Sequence, residues 1–93
     1  MTKEVKKFLL IEASKLANDN VIIDTWENET ATEILETYKK RKDWCDAHEE
    51  KYSMRTTFEF RRVVVYAYSN SVSTYGTSLE AIKELADAEN AKA

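Results

Sequence analysis

The chain contains no proline, only one glycine (Gly76) and only one cysteine (Cys45) among its 93 residues. A small all-β protein needs turn-forming residues roughly every eight to twelve positions, so this shortage argues against a sandwich or barrel. A single cysteine excludes an internal disulfide and is typical of a reducing compartment. The apolar run at residues 8–11 is too short for a signal peptide or a membrane span. We therefore expect a cytoplasmic protein without a membrane partner.

The composition is that of one ordinary globular domain. Hydrophobic residues make up 43% of the chain and charged residues 33%, which is a folded rather than a disordered mixture. No linker or internal sequence repeat divides the chain, so we expect a single domain over residues 1–93. The formal net charge of −3 gives no general attraction to duplex nucleic acid or to anionic lipid.

The first third of the chain allows two interpretations. Residues 3–17 contain good helix formers with an apolar stripe, which favours a helix. The following run VIIDTW is β-branched and typical of a strand. A strand needs a partner, and a turn at residues 17–20 would let residues 7–13 provide it. We prefer the strand for residues 7–13 and keep the helix as the alternative.

A long helix follows from Thr30. The Thr30 hydroxyl and the Glu33 carboxylate have the spacing of a capping box, which marks a helix start. Apolar and aromatic side chains then recur at three- and four-residue steps, as helical periodicity requires. These are Ile34, Leu35, Tyr38, Cys45 and Tyr52. The pattern predicts a helix of about 20 residues.

Residues 55–69, RTTFEFRRVVVYAYS, form the most distinctive stretch. β-Branched and aromatic residues dominate it, which favours a strand. A helix is the alternative, because Phe58, Val65 and Val72 stand at seven-residue steps before Gly76. A short strand over residues 72–75 could follow, and Thr77 with Glu80 resembles a second capping box before a closing helix.

Together these elements predict an α+β fold, approximately ββαβα. We expect a three-stranded antiparallel sheet in the order 2-1-3, with both helices on one face. An all-α fold of four helices is the alternative, if residues 7–13 and 55–69 are helical.

Alternation divides the strand over residues 55–69 into two faces. One face carries Phe58, Phe60, Arg62, Tyr66 and Tyr68, and the other carries Glu59 and Arg61. If the aromatic face were open, it would resemble a stacking platform for single-stranded nucleic acid. Patterned aromatics more often mark the buried side of a strand. We favour the core, with Glu59 and Arg61 on the face that a partner meets.

Cys45 and His48, with Asp46 and Glu49 beside them, are the main candidates for catalysis or metal binding. Their three-residue spacing would place them on neighbouring positions of the predicted helix. A zinc site needs further ligands, and the chain has no other cysteine or histidine. We therefore expect no cofactor and no metal, with Cys45 as a small core residue and His48 as its half-buried neighbour.

These observations favour a non-enzymatic protein-protein interaction module, acting alone or as a homo-oligomer. In general character the chain is similar to small accessory or inhibitor proteins that viruses and mobile elements use to bind a host protein, although no motif carries this likeness. The predicted binding residues are Trp26, Glu59, Arg61, Arg62, Tyr66 and Tyr68. One alternative is a single-stranded nucleic-acid binder that uses the aromatic strand. A small enzyme that uses Cys45 and His48 is another.

Overall fold

The computed structural model describes residues 3–66, 69 and 71–92. It has the element order ββαββα, and the predicted α+β class is confirmed in place of the all-α alternative. The elements are β1 (Lys3–Lys15), β2 (Val21–Asn28), α1 (Ala31–Tyr52), β3 (Arg55–Tyr66), β4 (Val72–Thr77) and α2 (Leu79–Ala91).

The four strands form one antiparallel sheet in the order β2-β1-β3-β4. The predicted order 2-1-3 is therefore present, and β4 adds a fourth strand beside β3. The two halves of the chain have the same ββα order, and the first strand of each half is central. This arrangement leaves β2 and β4 as the two edges of the sheet.

The first third of the chain is a β-hairpin rather than a helix. β1 is long enough to pair with β2 on one side and with β3 on the other. The tight turn is closed by the Leu16 backbone N–H, which donates to the Asn20 carbonyl at 2.8 Å. Asp19 takes a left-handed conformation there, with φ of 67°, which a short polar side chain tolerates. The pairing of β1 with a strand on each side thus outweighs the helix propensity of residues 3–17.

Helix α1 starts where the capping box predicts. Thr30 is the N-cap, and its hydroxyl oxygen accepts a hydrogen bond from the Glu33 backbone N–H at 3.1 Å. The hydroxyl in turn donates to the Glu33 carboxylate at 2.9 Å. The last helical residue is Tyr52. The C-cap residue Ser53 has a left-handed backbone, with φ of 49°, which ends the helix before β3.

The predicted start of the closing helix is one residue too early. Ser78 is the N-cap of α2, and its hydroxyl accepts from the Ala81 backbone N–H at 3.1 Å. Thr77 is instead the last residue of β4, opposite Phe60 of β3. The residue three positions after the cap is Ala81, so α2 has no reciprocal carboxylate and no capping box.

Both helices cover the face of the sheet that holds the aromatic residues of β3. Directly opposed residues of neighbouring strands share a face, and Leu10 of β1 lies opposite both Phe60 and Trp26. Tyr38 of α1 contacts Phe58 edge to face, with ring centroids 5.3 Å apart. The core cluster comprises Phe8, Leu10, Ala31, Ile34, Phe60, Ile82 and Ala86. The aromatic face of β3 is therefore the buried one.

The opposite face of the sheet, which we call the open face, carries no described helix, although Val63 on this face is only 6% exposed. Leu9, Ile11 and Ala13 of β1 lie there, half-buried among side chains of the neighbouring strands. In the part of the chain that the structure describes, both helices pack on the other face. No helix within that part is both long and apolar enough to cross a bilayer.

Candidate interaction surface

The predicted binding residues of β3 divide between the two faces. Glu59 and Arg61 lie on the open face, as predicted, and form an ion pair of 2.9 Å. Arg61 also donates to the hydroxyl and to the carbonyl oxygen of Thr74 on β4, both at 3.2 Å. Its guanidinium is thus already bound to Glu59 of its own strand and to Thr74 of β4, which lowers its capacity to bind an external anion.

The other predicted residues do not join this pair. Trp26, Arg62 and Tyr66 lie on the helix side of the sheet, where the Tyr66 and Tyr75 hydroxyls are hydrogen-bonded. Tyr68 lies outside the described residues. The six predicted residues therefore do not form one site.

A buried ion pair joins β1 to α1. Arg41 donates to the two carboxylate oxygens of Glu12, at 2.7 and 2.8 Å, and the Glu12 side chain is only 3% exposed. These bonds from Arg41 lower the pKa of Glu12, although burial alone would raise it. The same bonds raise the pKa of Arg41. Both partners are therefore charged at neutral pH.

Two tryptophans enclose the Arg41 guanidinium. Its central carbon lies 5.1 Å from the centroid of Trp26 and 4.8 Å from that of Trp44, within cation–π range. The Trp26 indole N–H is buried and meets no acceptor at hydrogen-bond geometry among the described residues. The indole N–H still helps to lower the pKa of Glu12, but its contribution is smaller than that of Arg41. Both tryptophan rings thus contact the guanidinium of the ion pair.

Cys45 and His48 are not brought together as a catalytic pair. The Cys45 thiol is 1% exposed and lies 3.8 Å from a Glu12 carboxylate oxygen. Burial raises the pKa of this thiol, and the nearby Glu12 charge adds to the effect. His48 instead stacks between Trp44 and Tyr52 on α1. In residues 3–66, 69 and 71–92, no cluster of three potential metal ligands forms.

The outer strand β2 exposes three consecutive branched apolar residues. Val21 is 54% exposed, Ile22 51% and Ile23 64%. Because strand side chains alternate, Ile22 points to the helix side and its two neighbours point to the open side. No described strand pairs with the outer edge of β2. This part of β2 is apolar on both faces and has a free main-chain edge.

A groove on the helix side continues this apolar surface. Its cavity volume is about 510 Å³, and Ile22, Trp44 and Tyr52 contribute to its walls together with Leu16 and Met54. His48 lies between the two aromatic rings, with centroids 4.3 Å from Trp44 and 5.8 Å from Tyr52. The stacked rings hold one wall of the groove in place. We call Val21, Ile22, Ile23, Trp44 and Tyr52 the β2 patch.

Charges near the β2 patch are mostly paired. Lys7 contacts Glu27 at 2.9 Å at the far end of β2, and Lys15, opposite Val21, lies 3.6 Å from Asp19 across the hairpin turn. Both pairs are exposed, so each contributes little to stability. Asp24, immediately after Ile23, forms no ion pair among the described residues. The patch is therefore apolar at residues 21–23 and acidic beyond them.

The β2 patch was missed by the sequence analysis, although one signal was present. A strand at the edge of a sheet with one covered face should alternate between apolar and polar residues. Residues 21–23 are apolar without alternation, and the predicted order 2-1-3 already placed this strand at an edge. Three such residues in succession on an edge strand indicate an exposed apolar surface.

Comparisons with family models, with curated proteins and with solved structures find no match to this chain. The candidate surface therefore rests on its own geometry and chemistry.

Proposed function

We propose that the protein is a non-enzymatic interaction module that binds another protein chain through the β2 patch. The observation that carries this proposal is the exposure of three successive apolar residues on an unpaired edge strand. Contiguous apolar surface of a few hundred Å² is typical of binding sites. A free edge can add an extended segment of a partner as a further strand.

Two features favour a protein partner over a nucleic acid. None of the five patch residues is basic; the Lys51 ammonium lies 5.5 Å from the Tyr52 ring centroid, and the Asp24 carboxylate directly follows Ile23. Phe58 and Phe60, which a nucleic-acid platform would need, pack in or against the core. Main-chain pairing and an apolar groove suit a polypeptide strand with alternating apolar residues.

The accessory or inhibitor role fits the same surface. A module that occupies an edge or groove of a partner can block that partner without any chemistry of its own. The buried thiol of Cys45 and the internal pairing of Arg41 with Glu12 leave both groups occupied in holding the fold. We therefore propose binding rather than catalysis as the function, and the single cysteine favours a cytoplasmic location for it.

Affinity capture with matched variants tests this proposal. The tagged protein, its Ile22→Lys variant and its Val72→Lys variant would be incubated with an extract of the source cells. Val72 lies on the opposite edge strand, β4, and is 63% exposed, so its variant is a control for an added charge. We expect a protein that the wild type and Val72→Lys retain and Ile22→Lys loses. Equal recovery by all three proteins would reject the β2 patch as the binding site.

A further inference from the structure

We propose that the occupant of the β2 edge is a second copy of this chain, paired antiparallel to β2 about a two-fold axis at Ile22. This inference rests on the proposed function and specifies its partner. A two-fold interface uses the same patch on both copies, so the patch must complement itself. The sequence around Ile22 meets this requirement.

The positions of the apolar and charged residues select one register. With the axis at Ile22, that residue faces its own copy, Val21 faces Ile23, and Asp24 faces Asn20. All three apolar residues then meet apolar residues, and the carboxylate of Asp24 meets an amide that can donate to it.

Neighbouring registers are less favourable. An axis at Ile23 places Ile22 opposite Asp24, so an apolar side chain meets a carboxylate. An axis at Asp24 places two carboxylates directly opposite each other, which is destabilising. If the axis lay between two residues instead of at one, each helix-side residue would pair with an open-side residue. A continuous sheet does not allow that pairing, because paired residues share a face.

The same axis brings the two grooves together. A two-fold axis perpendicular to the sheet keeps the helices of both copies on one side, and two four-stranded sheets become one continuous sheet. Ile22 of each copy then lies between the two grooves, with Trp44 and Tyr52 of both copies around it. The exposed aromatic rings and the edge strand thus become parts of one interface.

The size of the patch sets the expected strength. Interfaces below roughly 1,200 Å² of total buried area are commonly weak or transient. The β2 patch contributes a few side chains and a short run of main-chain bonds, so we expect a dissociation constant in the micromolar range. Each copy has a formal charge of −3, so association should tighten when salt screens the repulsion.

Sedimentation velocity over a range of protein concentrations tests the association. We expect wild type and Val72→Lys to shift from monomer to dimer across micromolar concentrations. Ile22→Lys should stay monomeric at least tenfold above the wild-type midpoint, because the axis would place two ammonium groups together. Circular dichroism checks that all three proteins are folded. A wild type that stays monomeric, or a dimer that Ile22→Lys leaves intact, would overturn the proposal.

Disulfide trapping tests the register independently. Directly opposed Cβ atoms in an antiparallel pair are roughly 4.5–5.5 Å apart, near the separation that a disulfide spans. Under mild oxidation, Ile22→Cys should form a covalent dimer faster than Asp24→Cys or Val72→Cys. Cys45 is buried and should not contribute. Preferential trapping through position 24 or position 72 would refute the axis at Ile22.

The two proposals fail in different ways. If the protein is monomeric but affinity capture still depends on Ile22, self-pairing is wrong and the interaction function stands. If the chain neither associates with itself nor retains a protein through Ile22, both proposals fall.

Discussion

Glu89, near the end of α2, caps Thr32 at the start of α1. One carboxylate oxygen of Glu89 accepts from the Thr32 backbone N–H at 2.9 Å and from the Thr32 hydroxyl at 2.7 Å. The other accepts from the Ala31 backbone N–H at 2.8 Å. These amides have no partner inside their own helix, and the negative charge suits the positive end of the helix dipole. Glu89 therefore ties α2 to α1.

Replacing Glu89 should destabilise the fold. We expect Glu89→Ala to lower the free energy of unfolding by about 1–2 kcal/mol, since a cap and charge-assisted hydrogen bonds are lost. Urea unfolding followed by circular dichroism measures the change. Glu84→Ala is the control, because Glu84 is an exposed carboxylate on the same helix. A loss no larger than that of the control would contradict the capping role.

The same contact predicts a pH dependence. Burial alone would raise the pKa of Glu89, but the hydrogen bonds from Thr32 and Ala31 outweigh it, and the pKa is lowered. The unfolded chain then binds this proton more readily than the folded one. Its stabilisation is fully present above the ordinary carboxyl pKa and is lost as the pH falls through the lowered value. Glu89→Gln should weaken the acid dependence of stability, while Glu84→Gln should not.

The ion pair between Glu12 and Arg41 should show strong coupling. Arg41→Met leaves a buried carboxylate without its partner, for which we expect a loss of about 3–5 kcal/mol. Glu12→Leu leaves Arg41 unpaired beside Trp26 and should also destabilise. The double variant should recover much of the loss, because replacing both charges removes the need to pair them. Denaturant unfolding of all four proteins gives the coupling energy; additive losses would mean that the two side chains act independently.

Local signals in the sequence predicted much of the fold. Thr30 and Glu33 fixed the start of α1, and β-branched residues with alternation identified β3. The strand β4 was only partly predicted: its Val, Thr and Tyr residues suit a strand, but it is short, and its pairing along β3 is a contact that local pattern does not show. Contacts between distant segments were not predictable: Glu12 and Arg41 are 29 positions apart, and nothing local marks them as partners.

Prediction of the site was limited in a different way. Alternation correctly separated Phe60 from Glu59 and Arg61, since a strand fixes which side chains share a face. It could not show that α1 leaves Ile22 uncovered, because coverage depends on where the helix crosses the sheet. Nor did the helical pattern show that Trp44 would be 42% exposed over Arg41.

A pair of adjacent substitutions in β3 tests the assignment of its faces. We expect Phe60→Ala to cost about 3–5 kcal/mol, as is usual for a buried phenylalanine. Glu59→Ala, on the open face, should stay within about 0.5 kcal/mol of wild type apart from its exposed pair with Arg61. Thermal and urea unfolding measure both variants. Similar costs at the two positions would contradict the burial of the aromatic face.

The Cys45 thiol should be almost unreactive in the folded protein. Only the thiolate is an effective nucleophile, and burial raises the pKa of Cys45 and keeps it protonated near neutral pH. The neighbouring Glu12 carboxylate adds to this effect, because it disfavours a second negative charge. Reagents must also reach a side chain that is buried between α1 and the sheet. We expect alkylation by iodoacetamide at neutral pH to be slower than that of an unfolded control by orders of magnitude.

The rate should follow the stability of the fold rather than the chemistry of the thiol. If modification requires opening, Glu89→Ala should increase the alkylation rate in proportion to its loss of stability, although it lies on another helix. An Ala47→Cys variant, with an exposed position on α1, supplies a second thiol that should react at once. Mass spectrometry after digestion separates the two sites. Rapid alkylation of Cys45 in the folded wild type would show an accessible thiolate and reopen a catalytic role for it.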